Sequence, residues 1–139
     1  MKLNRFQKFR KQLKDLGYSS YDQYLHSSHW EELKNRYRRS KLPQNCRGCG
    51  SYEDIQFHHR TYKDLGHERT DQIIAVCKNC HKAIHDSINQ KMAKGNFKWN
   101  LWKQTKIVTR KVRKEKGSGL PTRRKSSAIP QFYTAHSHA

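Results

Sequence analysis

All four cysteines of this chain fall into two C-x2-C pairs, CRGC at 46–49 and CKNC at 77–80. Two intervening residues let a backbone turn back so that both thiolates face one ion at about 2.3 Å. Two such pairs supply the four ligands of a tetrahedral zinc site, and whatever lies between them must fold small enough to be closed by the metal. Two disulfides are disfavoured in a reducing compartment, and two redox C-x-x-C motifs would be odd in 139 residues. A metal also answers a shortage. Hydrophobic residues make up only 33% of the chain, so one small core is expected, and ion binding adds folding free energy directly.

No apolar run approaches the roughly 18 residues that would suggest a membrane span. The opening MKLNRFQKFRKQ lacks the apolar segment of a secretory signal. The expected setting is intracellular and reducing. Lys and Arg total 30 against 11 Asp and Glu, which points to a polyanionic partner. Anchoring on an anionic membrane would need a long apolar helical face beside the basic one. No such face of useful length is present, so nucleic acid is the expected partner.

Residues 1–44 read as a basic helical arm. Leu3, Phe6, Leu13 and Leu16 recur at helical spacing, with Phe9 near the same stripe and Gly17 placed to stop the helix. Ser20 suits the start of a second short helix carrying Tyr21, Tyr24 and Leu25. SHWE at 28–31 fits a capping box with Ser28 at the cap, opening a helix with Trp30, Leu33 and Tyr37 on one face and Lys34, Arg38 and Arg39 on the other. Pro43 ends the helical part.

Residues 45–95 are framed by the cysteines. Ile55 and Phe57 alternate with polar residues and lead to the end of a strand at His58 and His59. Neighbours on a strand face opposite ways, so these two histidines are expected to do different jobs. A loop turned by Gly66 follows, then a short buried run, IIAV at 73–76. The second cysteine pair opens a helix on which His81 and His85 lie one turn apart, with Ile84 and Ile88 facing the core. Two imidazoles at i and i+4 are a standard way to present two nitrogens to one ion.

Residues 96–139 interleave Phe97, Trp99 and Trp102 with basic residues. Such aromatics either stack on unpaired bases or pack on the core. From Gly117 onward the chain is rich in Gly, Ser and Pro and is expected to be disordered. Its TRRK would add phosphate affinity, and His136 and His138 are poor site candidates.

The succession CRGC, then FHHRTYKDLGHERTDQIIAVCKNCHKAIH, resembles the HNH endonuclease family, whose core is the ββα-metal or His-Me finger fold. The likeness covers about residues 46–85 and, more weakly, the YLHSSHW entry from residue 24. It implies a small ββα-metal core with a four-cysteine zinc site; with the helical arm before it and the basic, partly disordered tail after it, both read from the residues above, the expected fold class is α+β. It implies metal-dependent hydrolysis of DNA phosphodiester bonds, with RNA left open, leaving a 3′-hydroxyl and a 5′-phosphate, in a bacterial or phage setting. His59 matches the general base. His58, His81 and His85 match ligands of one catalytic divalent ion (Mg²⁺, Mn²⁺, Ni²⁺ or Zn²⁺). Cys46, Cys49, Cys77 and Cys80 match the structural zinc site.

If His58 turns toward the helix, His59 is expected to point to where an attacking water would sit. The middle Asn of the family motif is replaced by Gln72, preceded by Asp71, and a one-residue shift would give the role to Asp71. Gln makes the same hydrogen bonds as Asn from one methylene further out. Arg60 is a candidate for phosphate contact, with loop packing as its alternative. The competing function is a zinc-stabilised nucleic-acid-binding module that kept the scaffold without cleavage. Oligomeric state is open, and dimerisation would suit double-strand cleavage.

Overall fold

The structure, a computed structural model, describes residues 2–117. The expectations of a disordered tail, of phosphate contacts from TRRK and of idle His136 and His138 fall outside the described residues. In chain order the elements are α1 (Arg5–Asp15), α2 (Tyr21–Leu25), α3 (Ser28–Arg38), β1 (Ile55–His59), β2 (Ile73–Cys77), α4 (Lys78–Ala93) and α5 (Leu101–Gly117). The fold is α+β, with five helices and one two-stranded antiparallel sheet among the described residues.

Each arm helix begins at a side-chain cap. Asn4 accepts from the Gln7 amide, and the Gln7 side chain returns to the Asn4 amide, both at 2.9 Å. Ser20 accepts from the Gln23 amide. The box expected at Ser28 moves by one residue: Ser27 is the cap and accepts from the Trp30 amide. Glu31 is thereby freed from capping, and its carboxylate pairs with Lys34 at 3.2 Å and Arg38 at 3.7 Å. Lys34, expected on the solvent face, is buried. Its stem packs inward while its ammonium reaches Glu31 and the face of Trp30.

The sheet is the plane of the molecule. Paired residues share a face, so the register of Phe57 with Ala75 and His59 with Ile73 sends those four to one side. His58 with Ile74 and Gln56 with Val76 go to the other. A two-stranded sheet is marginal unless its apolar surface is covered, and here both faces are. The arm covers the first, where Trp30, Leu33, Tyr37 and Tyr24 are fully buried with Phe57, Ile73 and Ala75. The cysteine pairs, α4 and α5 cover the second, where Ile74, Val76, Ile84 and Ile88 meet Leu101, Val108 and Val112. The N-terminal segment is therefore half of the core. The extension after residue 96 continues as a helix packed on α4. Among the described residues no helix is long and apolar enough to cross a membrane.

Candidate functional site

The two cysteine pairs meet at one end of the sheet. The four sulfurs lie within 4.8 Å of one another and could hold a metal ion such as zinc. Amides of Gly48 and Cys80 point at the sulfurs of Cys46 and Cys77, at 3.3 and 3.4 Å. A Cβ on Gly48 would stand 3.0 Å from the Cys80 sulfur, so the second intervening residue of the first pair must be small. Hydrogen bonding from Cys49, Cys77 and Cys80 holds the Cys46 thiol far below its ordinary value. Hydrogen bonding to Cys46 pushes Cys77 and Cys80 up. Four thiols this close share protons and cannot all ionise without a cation among them, which is the condition a zinc ion meets.

On the same side of the sheet, β1 and α4 bring together His58, His81 and His85, again within 4.8 Å. His81 and His85 are one turn apart, and their Nε2 atoms converge to 3.0 Å. His81 Nδ1 lies 2.7 Å from Gln56 Oε1. A carbonyl oxygen only accepts, so Nδ1 carries the proton and Nε2 is left with its lone pair for an ion. His58 is held on one side by Thr105 of α5, 2.9 Å from its Nε2. Burial, reinforced by His81 and His85, keeps His58 well below the usual imidazole value, hence neutral, as a ligand must be. Three imidazoles with no carboxylate suit Zn²⁺ or Ni²⁺ better than Mg²⁺, which prefers oxygen.

His59 turns the other way, as strand geometry requires, but does not meet water. Its side chain is fully buried, stacked on Trp30 with ring centres 4.7 Å apart. The expectation of a water-facing His59 is corrected here: the arm covers that face of the sheet and encloses the ring. Nε2 lies 2.7 Å from Glu68 Oε2, and Nδ1 lies 2.9 Å from the Tyr21 hydroxyl. Glu68 also accepts from the Tyr24 hydroxyl, from the Gly66 amide and from His29, whose Nε2 is at 2.8 Å. Burial would push the Glu68 carboxyl up. The hydrogen bond and charge of His59, with the hydrogen bonds of Tyr24 and His29, outweigh it and bring the value down to about 2. An ionised Glu68 accepts only, so His59 donates from Nε2, and in the neutral ring Nδ1 accepts from Tyr21.

The loop between the strands is organised by Gln72. Its Oε1 accepts from the Arg69 amide at 2.8 Å and its Nε2 donates to Asp64 at 2.8 Å. Asp71 is exposed and pairs with Arg69. Gln72 thus holds the loop through both ends of its side-chain amide. Gly66 sits at φ +92°, and a Cβ there would collide with Leu16 at 2.6 Å, so the loop closes onto the arm only with glycine.

A groove of about 1440 Å³ opens beside His85. Arg5, Lys8 and Lys11 of α1 line it opposite Arg60, Lys63 and Arg69. Leu3 and Phe6, expected on the packed stripe of α1, are exposed along this groove instead. Arg60 stacks on Trp102, with its guanidinium carbon 3.7 Å from the ring centre, and Arg5 stacks on Trp99 at 3.8 Å. Both indoles therefore carry a guanidinium on a face that base stacking would use. A small internal cavity lined by Tyr21, Tyr62, His58, His59, His81 and His85 connects the histidines of both faces at the sheet edge.

Four partners escaped the reading from sequence: Tyr21, Gln56, Glu68 and Thr105. The first three carry no local pattern that marks them. Thr105 does, because Leu101, Thr105, Val108, Thr109 and Val112 form an inward stripe at helical spacing that identifies α5. No family model, curated protein or solved structure matches this chain.

Proposed function

We propose that this chain is a metal-dependent endonuclease of the HNH type, hydrolysing DNA phosphodiester bonds. The observation that carries the proposal is the convergence of His58 from β1 with His81 and His85 from α4, beside a groove walled by arginine and lysine. The order of these residues, the double histidine and the four-cysteine site support it through their resemblance to that family. A divalent ion on the three imidazoles would act as a Lewis acid, stabilising charge on the phosphate and the leaving oxygen. The chain's own residues divide the remaining work. Gln56 and Thr105 hold the ligand rings in place. His59 serves as the general base, and Glu68 fixes the tautomer that leaves Nδ1 as acceptor. Arg60 and the α1 cations bind the phosphodiester backbone. Gln72 keeps the loop and its glutamate in register.

Plasmid nicking with Mg²⁺, Mn²⁺, Ni²⁺ or Zn²⁺, wild type beside His59→Ala, tests the proposal. Cleavage by the wild type alone, with 3′-hydroxyl and 5′-phosphate ends, is expected. One observation favours the alternative of a zinc-stabilised binding module: His59 is shut away from water with both ring nitrogens engaged. Tight DNA binding with no nicking under any of the four metals would establish that alternative.

A further inference from the structure

The endonuclease proposal leaves a gap between its base and its water. His59 is enclosed, and neither it nor Glu68 lines the groove. Tyr21 lines both the groove and the internal cavity. Its hydroxyl is 2.9 Å from the one ring nitrogen that Glu68 leaves free to accept a proton. We infer that Tyr21 is a catalytic residue of this site, a proton relay whose hydroxyl takes the proton of the attacking water while handing its own to His59.

The three groups form one hydrogen-bonded chain. Glu68 is the orienting carboxylate, His59 the imidazole and Tyr21 the hydroxyl, joined at 2.7 and 2.9 Å. In the step an O–H bond of the water breaks and its proton passes to the Tyr21 oxygen. The tyrosine's original proton passes to Nδ1 of His59. The water oxygen bonds to phosphorus, and the bond from phosphorus to the 3′ oxygen breaks with its electron pair on that oxygen, which takes up a proton from solvent. His59 is left as an imidazolium against the Glu68 carboxylate, and returns its proton by the reverse path after product leaves. No other reactant is consumed. The arm supplies the relay, which gives the helices before the cysteine pairs a part in chemistry as well as in packing. Tyr21 packs in a triangle of rings with Phe9 at 5.3 Å and Tyr62 at 5.6 Å, those two being 4.7 Å apart, and its hydroxyl also hydrogen-bonds Tyr62. The ring contacts do not need the hydroxyl, so Tyr21→Phe should keep the fold.

This inference rests on the endonuclease proposal, and the experiment separates the two. Wild type, Tyr21→Phe, His59→Ala and the double variant are compared for plasmid cleavage, for metal affinity by calorimetry and for the His59 ring nitrogens by ¹⁵N NMR. In the wild type, His59 is expected to carry its proton on Nε2, and Tyr21→Phe should shift the Nδ1 resonance alone. Tyr21→Phe should cleave about 10²- to 10⁴-fold more slowly with metal affinity unchanged. The double variant should be no slower than His59→Ala, since both groups lie on one proton path. Tyr21→Phe cleaving as fast as an active wild type, or faster, would overturn the relay alone and make the hydroxyl a plug over His59. A wild type inert with every metal would overturn the endonuclease proposal and the relay with it.

Discussion

His58 and His59 are consecutive, yet their rings end on opposite faces of one two-stranded sheet, His58 against Thr105 of the last helix and His59 against Tyr21 of the arm. They should therefore fail differently. His58→Ala removes one imidazole of three and should weaken the affinity of the second ion, with excess metal restoring part of any cleavage. His59→Ala should leave that affinity unchanged and lose cleavage by about 10²- to 10⁴-fold. Titration calorimetry on both variants checks this, and equal losses of metal affinity would mean that both rings coordinate.

The cysteine cluster should behave as part of the fold. Cys77→Ser or Cys80→Ser should abolish tight zinc binding and unfold the domain, because the cluster closes one end of the sheet and the ion contributes folding free energy. His85→Ala should keep both zinc and fold. Metal analysis beside circular dichroism distinguishes the two sites, and a folded, zinc-free Cys80→Ser protein would show that the core stands without its metal.

Glu68 gives the molecule an acid limit. Its folded value is about 2 against an ordinary 4.5. A depressed carboxyl contributes its stability in full above the unfolded value and loses it as pH falls through the folded one. Stability should accordingly drop between about pH 4.5 and pH 2, and Glu68→Gln should flatten that drop while lowering stability at neutral pH. Urea titrations across the window provide the measurement. An unchanged profile in Glu68→Gln would place the acid sensitivity elsewhere.

Gln72→Ala removes acceptor and donor from two hydrogen bonds that hold the inter-strand loop. The partners left behind, the Arg69 amide and the Asp64 carboxylate, are not buried, so the loss should be about 0.5–1.5 kcal/mol per hydrogen bond. Hydrogen exchange at residues 64–69 should accelerate more than in the sheet. Asp71→Ala, at an exposed position, should change little.

DNA affinity should fall steeply with salt. Lys8→Ala and Arg60→Ala should each reduce the slope of log affinity against log salt by about 0.9, the value for one lost phosphate contact. Fluorescence anisotropy across a salt series tests this. A slope unaffected by Arg60→Ala would return Arg60 to packing on Trp102.

What the sequence determined by itself was everything local and periodic. Two C-x2-C pairs state their ligands through spacing, and the four sulfurs do come together. A strand ending in His-His forces the rings apart, and a helix with His81 and His85 one turn apart presents both to one point. What only the tertiary structure decided was which environment each ring enters. Strand alternation says that His58 and His59 part company. It does not say that the arm folds over His59, because that depends on Trp30, Tyr24 and Tyr21 arriving from more than 28 residues upstream. Glu68 and Thr105 meet their histidines across 9 and 47 residues. No period connects such partners; packing of the arm and of α5 on the two faces of the sheet does.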